Sequence, residues 1–133
     1  MIPANSGFLM QDFTITEQSS RTYRMDFEKL NIRGFTDKQE AMIQAIYKII
    51  NTERYQYVIY SWNYGIELID LFGQPVSFVL PEIKRRIEEA LTHDERILSI
   101  DNFTFDVGRG TVLTTFTAHT IYGDFIIERA VNF

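Results

Sequence analysis

Glu53, Glu67 and Asp70 are the acids embedded in an apolar, aromatic stretch that runs from Asn51 to Gly73. Two carboxylates facing each other across a cleft could cleave a glycosidic bond, one as acid and the other as base or nucleophile. Glu67 and Asp70 stand three apart, a spacing that shares one helix face instead of opposing two groups, and surface exposure accounts for both. Glu53 lies beside Arg54, and a charged pair among aromatics is expensive unless each charge is satisfied. Three roles stay open for that pair: fixing the turn after a helix, contacting another subunit, or, for Glu53, catalysis.

The other chemistry-bearing residues are scattered. His93 falls at the end of a helical pattern, where a polar or cationic residue suits the dipole. His119 falls in a Thr-rich strand pattern, facing solvent or a strand neighbour. No His, Asp or Glu spacing resembles a metal site. Phosphate-cradling loops need glycines before a helix, and Gly108 and Gly110 open a strand instead. The chain has no cysteine, which excludes disulfides and thiolate zinc sites. The residues therefore predict no catalytic, cofactor-binding or metal site.

The bulk properties agree with a globular chain. Of 133 residues, 45% are hydrophobic and 14% aromatic, which suits one domain with its own core. Eleven Phe and seven Tyr are enough to serve an interface as well as a core. The net charge of −5 disfavours a nucleic-acid partner, which calls for a basic face. No apolar run approaches the roughly 20 residues that span a membrane, so no membrane partner is expected. No basic-then-apolar leader opens the sequence, which points to synthesis in the cytoplasm.

The elements that must position these residues follow from the periodicity. Residues 1–20 read as an extended arm, with Phe8, Leu9, Met10 and Phe13 apolar enough to pack on their own domain or dock on a partner. Residues 21–133 form the remaining single domain. Tyr23, Met25 and Phe27 alternate with charges as in a strand, with Leu30 and Ile32 on a return strand. Thr36-Asp37-Lys38-Gln39 predicts a capping box, with Thr36 as cap and Gln39 reaching back. Met42, Ile46, Ile49 and Ile50 then follow helical spacing.

Tyr55 to Trp62 is dense in β-branched and aromatic residues and predicts an extended segment. Tyr64-Gly65 ends it, and Ile66 to Phe72 predict a helical turn or two stopped by Gly73. Ser77 to Leu91 predicts a second helix capped by Ser77, burying Phe78, Ile83, Ile87, Ala90 and Leu91. On it, Glu82–Arg86 and Arg85–Glu89 read as solvated surface pairs. Strand patterns around Phe103 to Val107, Thr111 to Thr120 and Phe125 to Phe133, joined by glycine turns, predict a three-stranded antiparallel meander. The fold class expected is α+β: two main helices packed on an antiparallel sheet, with this meander at the C-terminus.

Set together, Thr52-Glu53-Arg54, Tyr64-Gly65 and Leu71-Phe72 resemble the central motif of the baseplate-wedge and sheath-initiator family of contractile phage tails. That family places Gly-Glu-Arg after its first helix, then Phe-Gly or Tyr-Gly, then Leu-Phe; Thr52 stands here in place of the glycine. Ser20 to Arg24, Ala45 to Ile49, Asn51 to Tyr55 and His119 to Gly123 look like the branch found in defective prophage tails of Gram-positive bacteria. The resemblance spans roughly Arg21 to Phe133.

It implies a structural subunit at the virion tail baseplate, assembled in the host cytoplasm, that joins the wedge to the first sheath ring. The implied partners are the tail sheath protein, baseplate wedge proteins, and the tail tube or hub. Glu53, Arg54, Tyr64, Gly65, Leu71 and Phe72 would form the structural motif. The C-terminal strand, with Phe125, Ile127, Arg129, Val131 and Phe133, would pair with sheath strands, since its apolar run ends with no gatekeeping charge. Two other functions remain open: a tail-associated peptidoglycan hydrolase using Glu53, and a regulatory binding module on the same fold.

Overall fold

A computed structural model describes residues 20–133. The arm residues Phe8, Leu9, Met10 and Phe13 lie outside the described residues. The order of elements is β1 (Thr22–Asp26), β2 (Asn31–Thr36), α1 (Lys38–Ile50), a 3-10 turn (Ile69–Leu71), α2 (Val76–Thr92), β3 (Ile97–Val107), β4 (Thr111–Thr120) and β5 (Gly123–Asn132). Strands β1 and β2 form an antiparallel hairpin, and β3-β4-β5 form an antiparallel meander in that order. The α+β architecture is the expected one.

The core lies between the helices and one face of the meander. α1 contributes Met42, Ile46, Ile49 and Ile50, and α2 contributes Val79, Ile83, Ile87 and Leu91. From the sheet come Val112, Phe116, Ala118, Ile127 and Val131, the alternate residues of β4 and β5. Each large, fully buried side chain here is worth about 1.5–3 kcal/mol of transfer free energy. Leu68 and Leu71 add to the same core from the loop between the helices.

Four local expectations give way to tertiary context. Lys38 adopts a left-handed backbone (φ 53), which separates Thr36 from the helix. Asp37 is therefore the N-cap, while the Thr36 hydroxyl donates to the Glu40 carboxylate at 3.1 Å. Gln39 does not reach back; its amide donates to the Tyr122 carbonyl at 3.0 Å and ties α1 to the β4–β5 turn.

The second helix starts at Val76, after Pro75, with no side-chain cap from Ser77. One residue of phase is enough to bury Val79 and leave Phe78 partly exposed. The segment from Tyr55 to Trp62 is a series of turns instead of an extended run. Tyr55 takes a left-handed backbone (φ 68), and the amides of Tyr60 and Tyr64 turn back to the carbonyls of Tyr57 and Ser61. The fourth correction concerns Arg86, which is not solvated: it is 8% exposed and faces the core side of α2.

The β1–β2 hairpin is held to α1 by one side chain. The Gln44 amide accepts from the Met25 N–H at 2.9 Å and donates to the Tyr23 carbonyl at 2.8 Å, standing in for a neighbouring strand. Gln44 is buried for this reason, and both ends of its amide are satisfied.

Candidate functional site

The segment after α1 closes on itself through a two-way backbone bridge. The Ile66 N–H donates to the Thr52 carbonyl at 2.9 Å, and the Arg54 N–H donates to the Ile66 carbonyl at 3.1 Å. Gly65 makes that approach possible. Its φ is +96, and a Cβ placed on it would stand 2.5 Å from the Thr52 carbonyl oxygen and 3.1 Å from the Arg54 nitrogen. The family's glycine position holds Thr52 without a left-handed backbone, and the Thr52 hydroxyl donates to the Lys48 carbonyl at 2.6 Å.

Glu53 and Arg54 then fix the returning segment from either side. The Glu53 carboxylate accepts the Leu68 N–H at 3.0 and 3.1 Å, and the Ile69 N–H at 3.3 Å. It thus caps the open amides at the start of the 3-10 turn, where a negative charge also suits the dipole. Both oxygens are occupied, which suits a cap and not a group that shuttles protons. Arg54, with 12% of its side chain exposed, pairs with Glu67 at 3.2 Å and Glu89 at 3.1 Å. Burial works against its charge, but the Glu67 and Glu89 hydrogen bonds outweigh that and raise its pKa above the ordinary guanidinium value.

From Arg54 the pairing continues along α2. Glu89 also accepts from Arg85, Arg85 donates to Glu82, and Glu82 accepts from Arg86. Arg86 reaches back to the loop: it pairs with Asp70 through its two terminal guanidinium nitrogens and donates to the Glu67 carbonyl at 2.9 Å. The Arg86 hydrogen bond holds the Asp70 carboxyl below the usual carboxylate range. Loop and helix are laced by an alternating chain of charges, each with an opposite neighbour. Asp70, expected to be merely exposed, attaches the loop to α2 through Arg86, whereas Glu67 meets Arg86 with its backbone carbonyl and spends its carboxylate on Arg54 within the loop.

The remaining motif residues divide between inside and outside. Tyr64 is half-buried and stacks on Tyr60 at 4.5 Å, and burial pushes its hydroxyl pKa up. Leu71 is fully buried, whereas Phe72 is largely exposed. Between the two locked ends, Tyr55, Tyr57, Val58, Ile59 and Trp62 are exposed.

On β5 the residues assigned to strand pairing point inward. Ile127 and Val131 are in the core, Phe125 and Phe133 pack against it, and Arg129 donates from Nε to the Ile50 carbonyl at 3.1 Å. That carbonyl is at the C-terminus of α1, where a cation suits the dipole. Burial lowers the Arg129 pKa, with nearby Glu53 opposing the shift. The Phe133 N–H bonds to the Gly110 carbonyl at 3.0 Å, which sets the ladder's alternation. Asp124, Ile126, Glu128, Ala130 and Asn132 therefore aim their backbone groups away from β4, at an edge that no strand pairs with among the described residues. Any strand-pairing role belongs to those backbone groups, and the alternation of the pleat was the signal that could have assigned it.

His93 is the C-cap residue of α2. His119 bridges two acids on the sheet's outer face: Nδ1 is 2.7 Å from Asp124 and Nε2 is 2.8 Å from Asp101. The hydrogen bonds to Asp124 and Asp101 raise its pKa. Arg86 was missed as a joint residue, although it follows Ile83 and precedes Ala90 at core-facing helical spacing. Among the described residues no group of His, Asp and Glu is placed to hold a metal ion, and no helix is long and apolar enough to cross a membrane.

Two comparisons bear on this arrangement. The family model described as contractile injection system sheath initiator matches residues 21–123. The chain is also 35% identical over 119 residues to the phage-like element PBSX protein XkdS of Bacillus subtilis (strain 168), covering 86% of this chain and 84% of that protein.

Proposed function

The chain belongs to the contractile injection system sheath initiator family, and from that premise we propose that it joins a baseplate wedge to the first sheath ring and starts sheath assembly by strand pairing. The coarse role is a structural protein of a phage-type tail. In the finer reading it works as a template, not as an enzyme. The wedge holds it through its helical half, and the β3-β4-β5 sheet offers an edge to which a sheath strand adds.

The observation that carries this reading is the outer edge of β5. Among the described residues no strand pairs with it, and five consecutive outward positions, from Asp124 to Asn132 in alternation, offer unpaired backbone donors and acceptors. Such an edge is a hazard unless charge, proline or a partner covers it. β-Augmentation supplies affinity through the main chain, so the inward set Phe125, Ile127, Arg129, Val131 and Phe133 supports the edge from behind.

Deleting the strand would also remove core residues Ile127 and Val131, so a proline on the open edge is the cleaner test. Ala130→Pro and Glu128→Pro each remove one outward N–H while leaving the bonds to β4. Particles carrying either variant are expected to retain baseplates but lack sheath in electron micrographs. Normal sheaths would overturn the templating role. In a cell-wall turbidity assay the wild-type protein is expected to give no clearing, and clearing abolished by Glu53→Gln would restore the hydrolase reading.

A further inference from the structure

We propose that the loop between Tyr55 and Trp62 is a preformed plug that seats in an uncharged, apolar groove on another protein of the particle. This deepens the reading above and rests on it, because it takes the chain to be one subunit among others. Val58, Ile59 and Trp62 are 103%, 85% and 82% exposed, and Tyr55 and Tyr57 are more than half exposed. Taking about 150–250 Å² for a fully exposed large side chain, the loop offers on the order of 600 Å². That approaches the roughly 800 Å² per partner of a stable protein interface. Tyr and Trp are also the residues that dominate such interfaces.

The loop is built to hold its shape. Gly65, the Thr52–Ile66 bridge and the Arg54 ion pairs lock its two ends. Inside it, Tyr55 meets Trp62 edge-on at 5.8 Å, Tyr57 meets Tyr60 edge-on at 6.1 Å, and Tyr60 stacks on Tyr64. An ordered loop loses little conformational freedom on docking, so more of its contact area appears as affinity.

Charge selects the occupant. No Asp, Glu, Lys or Arg occurs from Tyr55 to Ile66, so the receiving surface needs no counter-charge and is itself apolar. Loops and helices that enter anionic lipid place Lys or Arg beside their aromatics. Here the neighbouring cation, Arg54, is engaged by Glu67 and Glu89, and Asp70 lies just beyond. A second copy of this chain is a poor receptor, because two projecting loops do not supply each other with a concavity. The groove between Ala41, Ile49, Tyr64, Lys48, Asp94 and Arg96 is of mixed character, and its three charged side chains would have to be desolvated by an uncharged loop.

The test is made in assembled particles. A strain deleted for this gene is complemented with the wild-type chain or with the triple variant Val58→Ser, Ile59→Ser, Trp62→Ser. The purified triple variant is expected to unfold at the wild-type urea midpoint, yet its amount in sedimented particles is expected to fall by roughly 30-fold or more. A benzophenone amino acid in place of Trp62 is expected to crosslink to a different particle protein. Equal incorporation of the triple variant would overturn the proposal and, if sheaths are normal, leave the assembly role standing. A crosslink joining two copies of this chain would overturn it in favour of self-association. Flotation with phosphatidylglycerol vesicles that the triple variant loses would overturn it in favour of a lipid surface. Absence of the wild-type chain from sedimented particles would instead sink the tail role, and the plug with it.

Discussion

Gly65 backs onto the Thr52 carbonyl so closely that a Cβ added to it would stand 2.5 Å from that oxygen. The neighbour is backbone, paired in a bridge, and cannot move aside cheaply. Gly65→Ala combines this clash with a left-handed φ of +96 and is expected to cost about 3 kcal/mol or more. Gly73→Ala is the control: its φ is +84, but nothing lies within 4 Å, so about 1–2 kcal/mol is expected. Urea denaturation of both variants checks the difference, and equal losses would remove the close approach as the cause.

Glu53 acts as the cap of the 3-10 turn through the amides of Leu68 and Ile69. Glu53→Ala leaves those amides without an acceptor and is expected to destabilise the fold by about 1–2 kcal/mol. Glu53→Gln keeps one acceptor oxygen and should lose less. Amide hydrogen exchange at Leu68 and Ile69 reads the cap directly; unchanged protection in Glu53→Ala would show that the carboxylate does not hold them.

Arg86 and Asp70 differ in exposure, and their variants should differ accordingly. Arg86 is buried and also serves the Glu67 carbonyl, so Arg86→Ala is expected to cost about 2–3 kcal/mol. Asp70 has 64% of its side chain exposed, and solvent screening should limit Asp70→Asn to about 1 kcal/mol or less. A double-mutant cycle separates the pair from Arg86's other bonds. A coupling energy equal to the whole Arg86→Ala loss would show that the Glu67 carbonyl contact contributes nothing.

His119 predicts a pH dependence of definite sign. Only the imidazolium can donate to both Asp124 and Asp101, so the folded state raises the pKa above the ordinary 6.5. The stabilisation is fully present below the unfolded-state value and is lost as pH rises through the higher folded-state value. Urea midpoints of the wild type should therefore decline across that window, and His119→Gln should flatten the decline. NMR titration of the imidazole gives the folded-state pKa, and a value at or below 6.5 would refute the bridge.

Periodicity carried the two helices, the hairpin and the meander, because each buries one face and the apolar spacing records which. It was least informative where a second element decides the outcome. Tyr55 to Trp62 has the composition of a strand but, among the described residues, no strand beside it, and it folds into turns. Thr36 has the chemistry of a cap, but the left-handed Lys38 places Asp37 there.

By itself, the sequence determined the order of elements, the family, and which residues around Glu53-Arg54 and Tyr64-Gly65 are out of the ordinary. Those are properties of local spacing and residue type. Only the tertiary structure decided what Glu53, Arg54 and Arg129 touch. It joined Glu53 to amides fifteen and sixteen positions away, Arg54 to Glu89 thirty-five away, and Arg129 to the end of α1 seventy-nine away. Partners at such separations leave no periodic trace, because they meet only after the core has brought loop, helix and sheet together.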